Sequence, residues 1–337
     1  MAPAASDAEE LLEAAERLLD GRFVDAAWPE FMEAERAGAD PDRCSAGRWQ
    51  AAMLRGDFAA AWKESDATRV RGAQGSECLW SGEEINGKRV IVRCLHGFGD
   101  AVQMLRYAPL LAARASHVVY ETNPKFTALA RCFQGVHDVI TWNDPEPGWD
   151  VQLEVMELPY LFRTVAGDLP IAHKYLSVPE EATQCAGALL GSQVRPRIGL
   201  IWTCGDWNPS RNVPLEALQP LSDLDVELWN LQSFSSLDQP SFELRDGRHI
   251  ADGLVALAAT ISLMDLVIAP DTLATHLAGA LGKPAFVMLQ YAADWRWMCG
   301  RADTPWYPSV RLFRQPVPGD WASVVGEVRR ALLASIS

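Results

Sequence analysis

The sequence predicts an α/β protein: two successive halves of alternating strand and helix, preceded by a small all-helical region. Three observations predict it. Short runs of branched apolar residues bounded by turns recur from Arg89 to Phe313, with helix-periodic segments between them. That rhythm pauses between Ser177-Val178-Pro179 and Arg195-Pro196, then restarts. The segment before Trp80 is instead rich in alanine, glutamate and leucine at helical spacing. The expected divisions are 1–75 (helical), 76–178 (first α/β half) and 195–337 (second half).

Within the helical region Leu11, Leu12, Ala15, Leu18 and Leu19 form one stripe. The region also repeats itself. Gly21-Arg22-Phe23-Val24-Asp25-Ala26-Ala27-Trp28 recurs as Gly56-Asp57-Phe58-Ala59-Ala60-Ala61-Trp62, the two phenylalanines being 35 positions apart. This offset is similar to the tetratricopeptide period, in which a turn glycine and an aromatic lock paired helices. Two such units are too few for a free-standing solenoid, so they are expected to dock on the rest of the chain.

The first α/β half opens on turns at Gly82 and Asn86-Gly87 and a strand at Arg89–Cys94. A helix over Ala101–Ala113 follows, with Pro109 expected to kink it or end its first part. Strands are expected at His117–Glu121, Val136–Trp142 and Asp150–Leu153, and a helix at Pro124–Phe133. In the second half the expected strands are Arg197–Trp202, Val226–Leu231, Leu266–Ala269, Ala285–Leu289 and Val310–Phe313. Helices belong near Leu215–Leu221, Gly253–Met264, Thr272–Leu281 and Trp321–Ala334, the last crossing back onto the first half. Alternation of this kind gives mostly parallel sheets covered on both faces, and two such halves leave a cleft for a ligand.

Size and charge limit what that ligand is. The chain has 337 residues, of which 49% are hydrophobic and 22% charged, so it is globular rather than disordered. Its formal net charge of -14 argues against non-specific nucleic-acid binding and against attraction to anionic lipid. No apolar run has the length of a membrane span, and Met1-Ala2-Pro3-Ala4-Ala5-Ser6-Asp7 lacks a signal pattern, so a cytoplasmic location is expected. The seven cysteines are scattered, with no C-x-x-C pair and no zinc-type spacing with histidine, as in a protein of reduced thiols.

Three polar turns fall at the carboxyl ends of expected strands, where loops of facing halves converge. In Cys94-Leu95-His96-Gly97-Phe98-Gly99-Asp100 the glycines permit a tight turn and Asp100 stands where a helix begins. Asp100 is there either an N-cap carboxylate or a general base in a cleft. Neither a dinucleotide fingerprint nor a P-loop is present. In Thr203-Cys204-Gly205-Asp206-Trp207-Asn208-Pro209-Ser210-Arg211, Thr203 is a candidate donor to a pyrophosphate and Arg211 a planar cation for it, or else a surface charge. The third, Asp271-Thr272-Leu273-Ala274-Thr275-His276, follows a strand and opens a helix, so hydroxyls, a histidine and helix N–H groups face one spot suited to phosphate. The plainer alternative is an N-cap at Asp271 or Thr272 with His276 packed in the core. Tyr291, Asp294 and Trp295, after the strand Ala285–Leu289, are candidates to close over a base or sugar. Asp265, Glu154 and Glu157 have no metal-ligand spacing, and Ser233 and Ser235 lack a nucleophile-elbow context.

Taken in order, these motifs resemble those of the heptosyltransferase-type glycosyltransferases of family 9, in particular relatives carrying tetratricopeptide-like repeats. The likeness rests on Gly97-Phe98-Gly99-Asp100-Ala101-Val102-Gln103, Ile198-Gly199-Leu200-Ile201-Trp202, Arg211-Asn212-Val213-Pro214-Leu215, the turn Asp271 to His276, Asp294-Trp295-Arg296-Trp297 and Trp306-Tyr307-Pro308. It implies two Rossmann-like domains in the glycosyltransferase B architecture. It also implies inverting, metal-independent transfer from a nucleotide-diphosphate sugar acting as co-substrate, with no separate cofactor. Asp100 falls on the family's general base, Arg211 on a pyrophosphate-stabilising cation, and Thr272, Thr275 and His276 on the donor-phosphate turn. Gly97, Gly99 and Gln103 fall in the acceptor-side loop and helix. One position departs from the family: Leu273 stands where glycine is usual, and its side chain restricts backbone approach to a phosphate. The helical repeats imply a protein or peptide acceptor, or an assembly surface. A degenerate scaffold of the same fold, favoured by Leu273, and a sugar-nucleotide epimerase are the alternatives.

Overall fold

The structure, a computed structural model, describes residues 5–72, 78–170, 173–205, 208–232 and 240–336, with the side chains of Ala5 and Ser6 left aside. Asp206, Trp207, Ser233 and Ser235 therefore lie outside the described residues. The elements run α1 (Ala5–Asp20), α2 (Val24–Ala37), α3 (Pro41–Arg55), α4 (Phe58–Arg71), β1 (Arg89–Arg93), α5 (Phe98–Met104) and α6 (Ala108–Ala112). They continue β2 (His117–Thr122), α7 (Thr127–Ala130), β3 (Asp138–Thr141), β4 (Val151–Glu154), α8 (Leu158–Leu161), α9 (Glu180–Leu190), β5 (Arg197–Leu200) and β6 (Glu227–Asn230). The remainder is β7 (Arg245–Asp246), α10 (Leu254–Ser262), β8 (Leu266–Pro270), α11 (Leu273–Ala280), β9 (Ala285–Leu289), β10 (Val310–Arg314) and α12 (Trp321–Ile336).

The chain divides into two compact units. One comprises Met1–Leu79, Pro159–Leu169 and Ala292–Arg301; the other comprises Trp80–Leu158, Pro170–Tyr291 and Ala302–Ser337.

In the helical unit α1 to α4 pack as consecutive neighbours, and α1 to α3 share a core of Leu12, Ala15, Leu19, Ala27, Phe31 and Leu54. Asp40 caps α3 through Asp42 N (2.8 Å), ahead of Pro41 at the first helical position. Two later excursions of the chain are tied to these helices. Trp62 Nε1 donates to Thr164 O (2.7 Å), Arg22 Nη2 to Ala293 O (2.9 Å), and Cys299 N to Leu54 O (2.7 Å). The sequence repeat is not repeated in burial: Phe58 is in the core, whereas Phe23 is 62% exposed. Arg48 on α3 holds Glu64 of α4 (2.8 Å) and Glu35 of α2 (2.5 Å), which joins three helices through one buried guanidinium.

In the other unit two sheets form, both wholly parallel, as the βαβ rhythm requires. Their strand orders are β3-β2-β1-β4 and β10-β9-β8-β5-β6-β7. Continuous burial of Val90-Ile91-Val92 in β1 and of all five residues of β8 is the mark of strands covered on both faces. The second sheet's core contains Ile198, Leu200, Leu228, Ile268 and Phe313, with Trp321, Val324, Val325, Val328 and Leu332 of α12 laid on it. The neighbours of that buried face of α12 thus belong to the second half.

Several local expectations are corrected. The helix expected over Ala101–Ala113 begins earlier, at Phe98, and passes through a 3-10 turn at Leu105–Tyr107 before α6, where Pro109 supplies no N–H to a continuous helix. Pro124–Phe133 yields only the four-residue α7. Leu215–Asp223 winds as a 3-10 helix around Pro220 instead of an α-helix. The stretch read as a linker contains α9, whose acidic first turn Glu180-Glu181 follows Pro179.

Candidate functional site

Each sheet reverses its strand order once, between β1 and β4 in the first and between β5 and β8 in the second. Loops leaving the carboxyl ends beside such a reversal diverge to opposite faces and leave a crevice. The loops after β1, β5 and β8 are the three polar turns singled out in the sequence.

At the first turn, Gly97 is the N-cap of α5 and Asp100 stands at the third helical position. Asp100 Oδ2 accepts from Gly97 N (3.1 Å), so the carboxylate is held at the helix start as a cap. It remains half-buried rather than enclosed. Gly99 lies against the second half: a Cβ added there would sit 2.8 Å from His276 Cδ2. The absence of a side chain at Gly99 is what lets α5 and α11 meet. Gln103, on the same helix, is fully buried and so belongs to this packing.

Glu154, at the end of β4, is a functional candidate that its spacing in the sequence did not reveal. It is 1% exposed, and its carboxyl accepts from Leu95 N (3.3 Å) and Met156 N (2.5 Å), which ties β4 to the loop bearing Asp100. Burial pushes its pKa up to about 8, with Glu157 and Asp100 adding to the rise and the two N–H bonds opposing it. His96 Nε2 lies 3.6 Å away.

Across the reversal in the second sheet, Gln232 organises the loop after β5. Its Oε1 accepts from Trp202 N (3.1 Å) and Thr203 N (2.9 Å). Arg211 Nη1 donates to Asp271 O (2.9 Å) and lies 3.8 Å from Asp271 Oδ2, so the cation is parked at the start of the Asp271–His276 turn. Asp271 is buried, and its other oxygen is 3.7 Å from His276 Nε2. Burial pushes the thiol of Cys204 up to about 12, which disfavours its thiolate.

Thr272 is the N-cap of α11 and its hydroxyl makes no capping bond. The first-turn N–H groups of a helix have no acceptor within it, and the helix dipole adds partial positive charge there. Thr272, Leu273 and Ala274 form one wall of a cavity of about 390 Å³ whose other walls include Thr203, Gln232 and Arg248. That volume is within the range of small-molecule sites. Arg248 is the cation that lines this cavity, is paired with Asp246 at 2.8 Å, and was not evident in the sequence. Thr275 is placed differently: it is wholly buried and its hydroxyl donates to Pro270 O (2.7 Å).

Of the remaining candidates, Tyr291 is partly exposed and anchored by its N–H to Gln315 Oε1 (3.1 Å). Asp294 and Trp295 fall in the helical unit, where Asp294 caps a 3-10 turn through Arg296 N (3.0 Å) and Trp295 packs edge-on against Trp49 at 5.6 Å. Among the described residues no group of three or more His, Cys, Asp or Glu is arranged to hold a metal ion. No helix there is long and apolar enough to cross a membrane.

The fold has solved counterparts. A glycosyl transferase family 9 structure from Veillonella parvula superposes with a TM-score of 0.57 at 12% identity, over 75% of this chain and 99% of that one. The ADP-heptose heptosyltransferase II of E. coli gives 0.53 at 14% identity, over 74% of this chain and all of the other. At these identities the likeness is one of fold: parallel two-sheet α/β halves of the glycosyltransferase B kind. No family model matches the chain. Protein FlbA of Caulobacter vibrioides is 25% identical over 320 residues, covering 84% of this chain, and the chain spans about half (52%) of FlbA's length.

Proposed function

We propose that the chain is an inverting, metal-independent glycosyltransferase that moves a sugar from a nucleotide-diphosphate sugar to an acceptor hydroxyl on a protein or peptide. The observation that carries this reading is the meeting of Gly99 with His276, which brings the Asp100 turn beside the start of α11. Single displacement needs a base on one side of the anomeric carbon and an anion holder on the other. Asp100 takes the proton of the acceptor hydroxyl as its oxygen bonds to the anomeric carbon. The bond to the diphosphate breaks on the opposite face, and its electron pair leaves with the diphosphate.

The growing charge then meets Arg211, Thr272, the first-turn N–H groups of α11, and His276. Thr203 and the 390 Å³ cavity offer room for the nucleoside. Asp271 balances Arg211 in the absence of the anion. The family 9 neighbours of known structure, one of them an ADP-heptose heptosyltransferase, support a nucleotide sugar as the donor. The paired helices α1 to α4 support the tetratricopeptide-like subgroup and a polypeptide acceptor.

Leu273 in the cavity wall is the observation favouring a non-catalytic scaffold. Calorimetry with ADP-, UDP- and GDP-linked sugars separates the two. The transferase binds one class at micromolar to millimolar affinity. A scaffold binds none, and a null titration across the panel refutes the transferase.

A further inference from the structure

His276 is joined to a second residue that the transfer scheme leaves unused. Tyr307 Oη lies 2.9 Å from His276 Nδ1, and both side chains are buried, Tyr307 completely. The contact has been given room: a Cβ on Gly279, one helical turn beyond His276, would fall 2.2 Å from Tyr307 Cδ1. Only glycine at that position admits the ring.

Behind Tyr307 stands Arg106, itself wholly buried. Its guanidinium donates to Gln103 O (2.9 Å), Trp306 O (2.8 Å) and Tyr175 Oη (3.1 Å), and faces the rings of Tyr175 and Tyr307 at 4.9 Å each. Among the described residues no carboxylate pairs with this cation, so its charge is met by phenols, carbonyls and ring faces.

We propose that Tyr307, backed by Arg106, is a positioning residue that holds the His276 imidazole with a proton on Nε2 and a lone pair on Nδ1, as a donor to the leaving diphosphate. The inference rests on the donor role given above to His276. Arginine only donates, so a phenol beside it turns its lone pairs to the cation and its proton away. Tyr175 Oη, which already accepts from Arg106 Nη2 (3.1 Å), is the other neighbour of the Tyr307 hydroxyl, and His276 Nδ1 at 2.9 Å is the acceptor assigned to its proton. Burial, first, and then Tyr175 raise the Tyr307 phenol well above its ordinary pKa, so the hydroxyl proton is retained. At the other side of the ring Nε2 faces the Asp271 carboxylate at 3.7 Å, which again calls for an N–H there. The same ring edge lies against Gly99, beside the Asp100 turn.

The test is nitrogen NMR of the full chain labelled with 15N-histidine, free and with added ADP, alongside Tyr307→Phe and Arg106→Lys. The inference predicts a bare Nδ1 and a protonated Nε2 at His276 in the parent chain. Tyr307→Phe, which keeps the ring, is expected to mix the two tautomers and to weaken ADP binding about tenfold. Arg106→Lys is expected to shift the tautomer in the same direction by a smaller amount. A proton on Nδ1 in the parent chain, or an unchanged tautomer in Tyr307→Phe, overturns the inference, even if the variant is less stable. The parent spectrum decides even where a variant fails to fold. Should none of ADP, UDP and GDP bind while the tautomer follows Tyr307, the donor reading of the site fails and control of His276 by Tyr307 stands.

Discussion

Gly99 and His276, 177 positions apart in sequence, touch across the two α/β halves, the imidazole edge occupying the space where any other residue would place a Cβ (2.8 Å from Cδ2). That single contact couples the Asp100 turn to the Asp271–His276 turn. Gly99→Ala must therefore push α5 and α11 apart or rotate His276. The expected cost is about 1–3 kcal/mol of stability and at least a tenfold loss of transfer, because misplacement of reacting groups is punished heavily. Urea unfolding and initial rates check the two parts separately.

Arg211 reaches Asp271 O through one guanidinium nitrogen and lies beside its carboxylate. Lysine retains the charge but loses the planar fork. Arg211→Lys is expected to weaken ADP binding about tenfold, and Arg211→Ala about a hundredfold. Calorimetry measures both, and equal affinity in all three chains would remove Arg211 from the donor site.

Much of this arrangement was legible in the sequence and some was not. The buried strands announced themselves because Val90-Ile91-Val92 and Leu266-Val267-Ile268 are unbroken apolar runs between turns. Asp100, Arg211 and the Asp271–His276 turn could be found because strand ends beside turns are local features. Tyr307 and Gln232 could not: each acts on a partner about 30 positions away, and no local period encodes such a contact. Glu154 was passed over because spacing in sequence says nothing of the burial that alters its acidity. The helix α9 was hidden between Pro179 and Pro196, which read as linker punctuation although they only bound it.

Glu154 gives the fold a pH dependence of stated sign. Its carboxyl is raised in the folded chain from 4.5 to about 8, so the folded state holds a proton that the unfolded state has released. Stability therefore falls as pH rises from 4.5 towards 8 and levels off above that. Chemical denaturation in steps across this range is expected to show the decline in the parent chain. Glu154→Gln, which cannot ionise, is expected to flatten it. An identical slope in both chains would assign the dependence elsewhere.

The Arg48 network predicts a defect in the helical unit. Arg48→Ala removes the cation with which both Glu64 and Glu35 pair. The expected loss is about 3 kcal/mol, since removing one partner strands buried charge. Limited proteolysis of α1 to α4 should report it as faster cleavage than in the parent chain.

The central claim is that Asp100 takes the acceptor proton and is not merely the cap of α5. Asparagine keeps an oxygen able to accept from Gly97 N but is no base. The decisive measurement is single-turnover transfer by Asp100→Asn, with ADP affinity determined on the same preparation. The account predicts a rate loss of about 10²–10⁴ with ADP affinity within twofold of the parent. Transfer at the parental rate with an intact ADP site would contradict it.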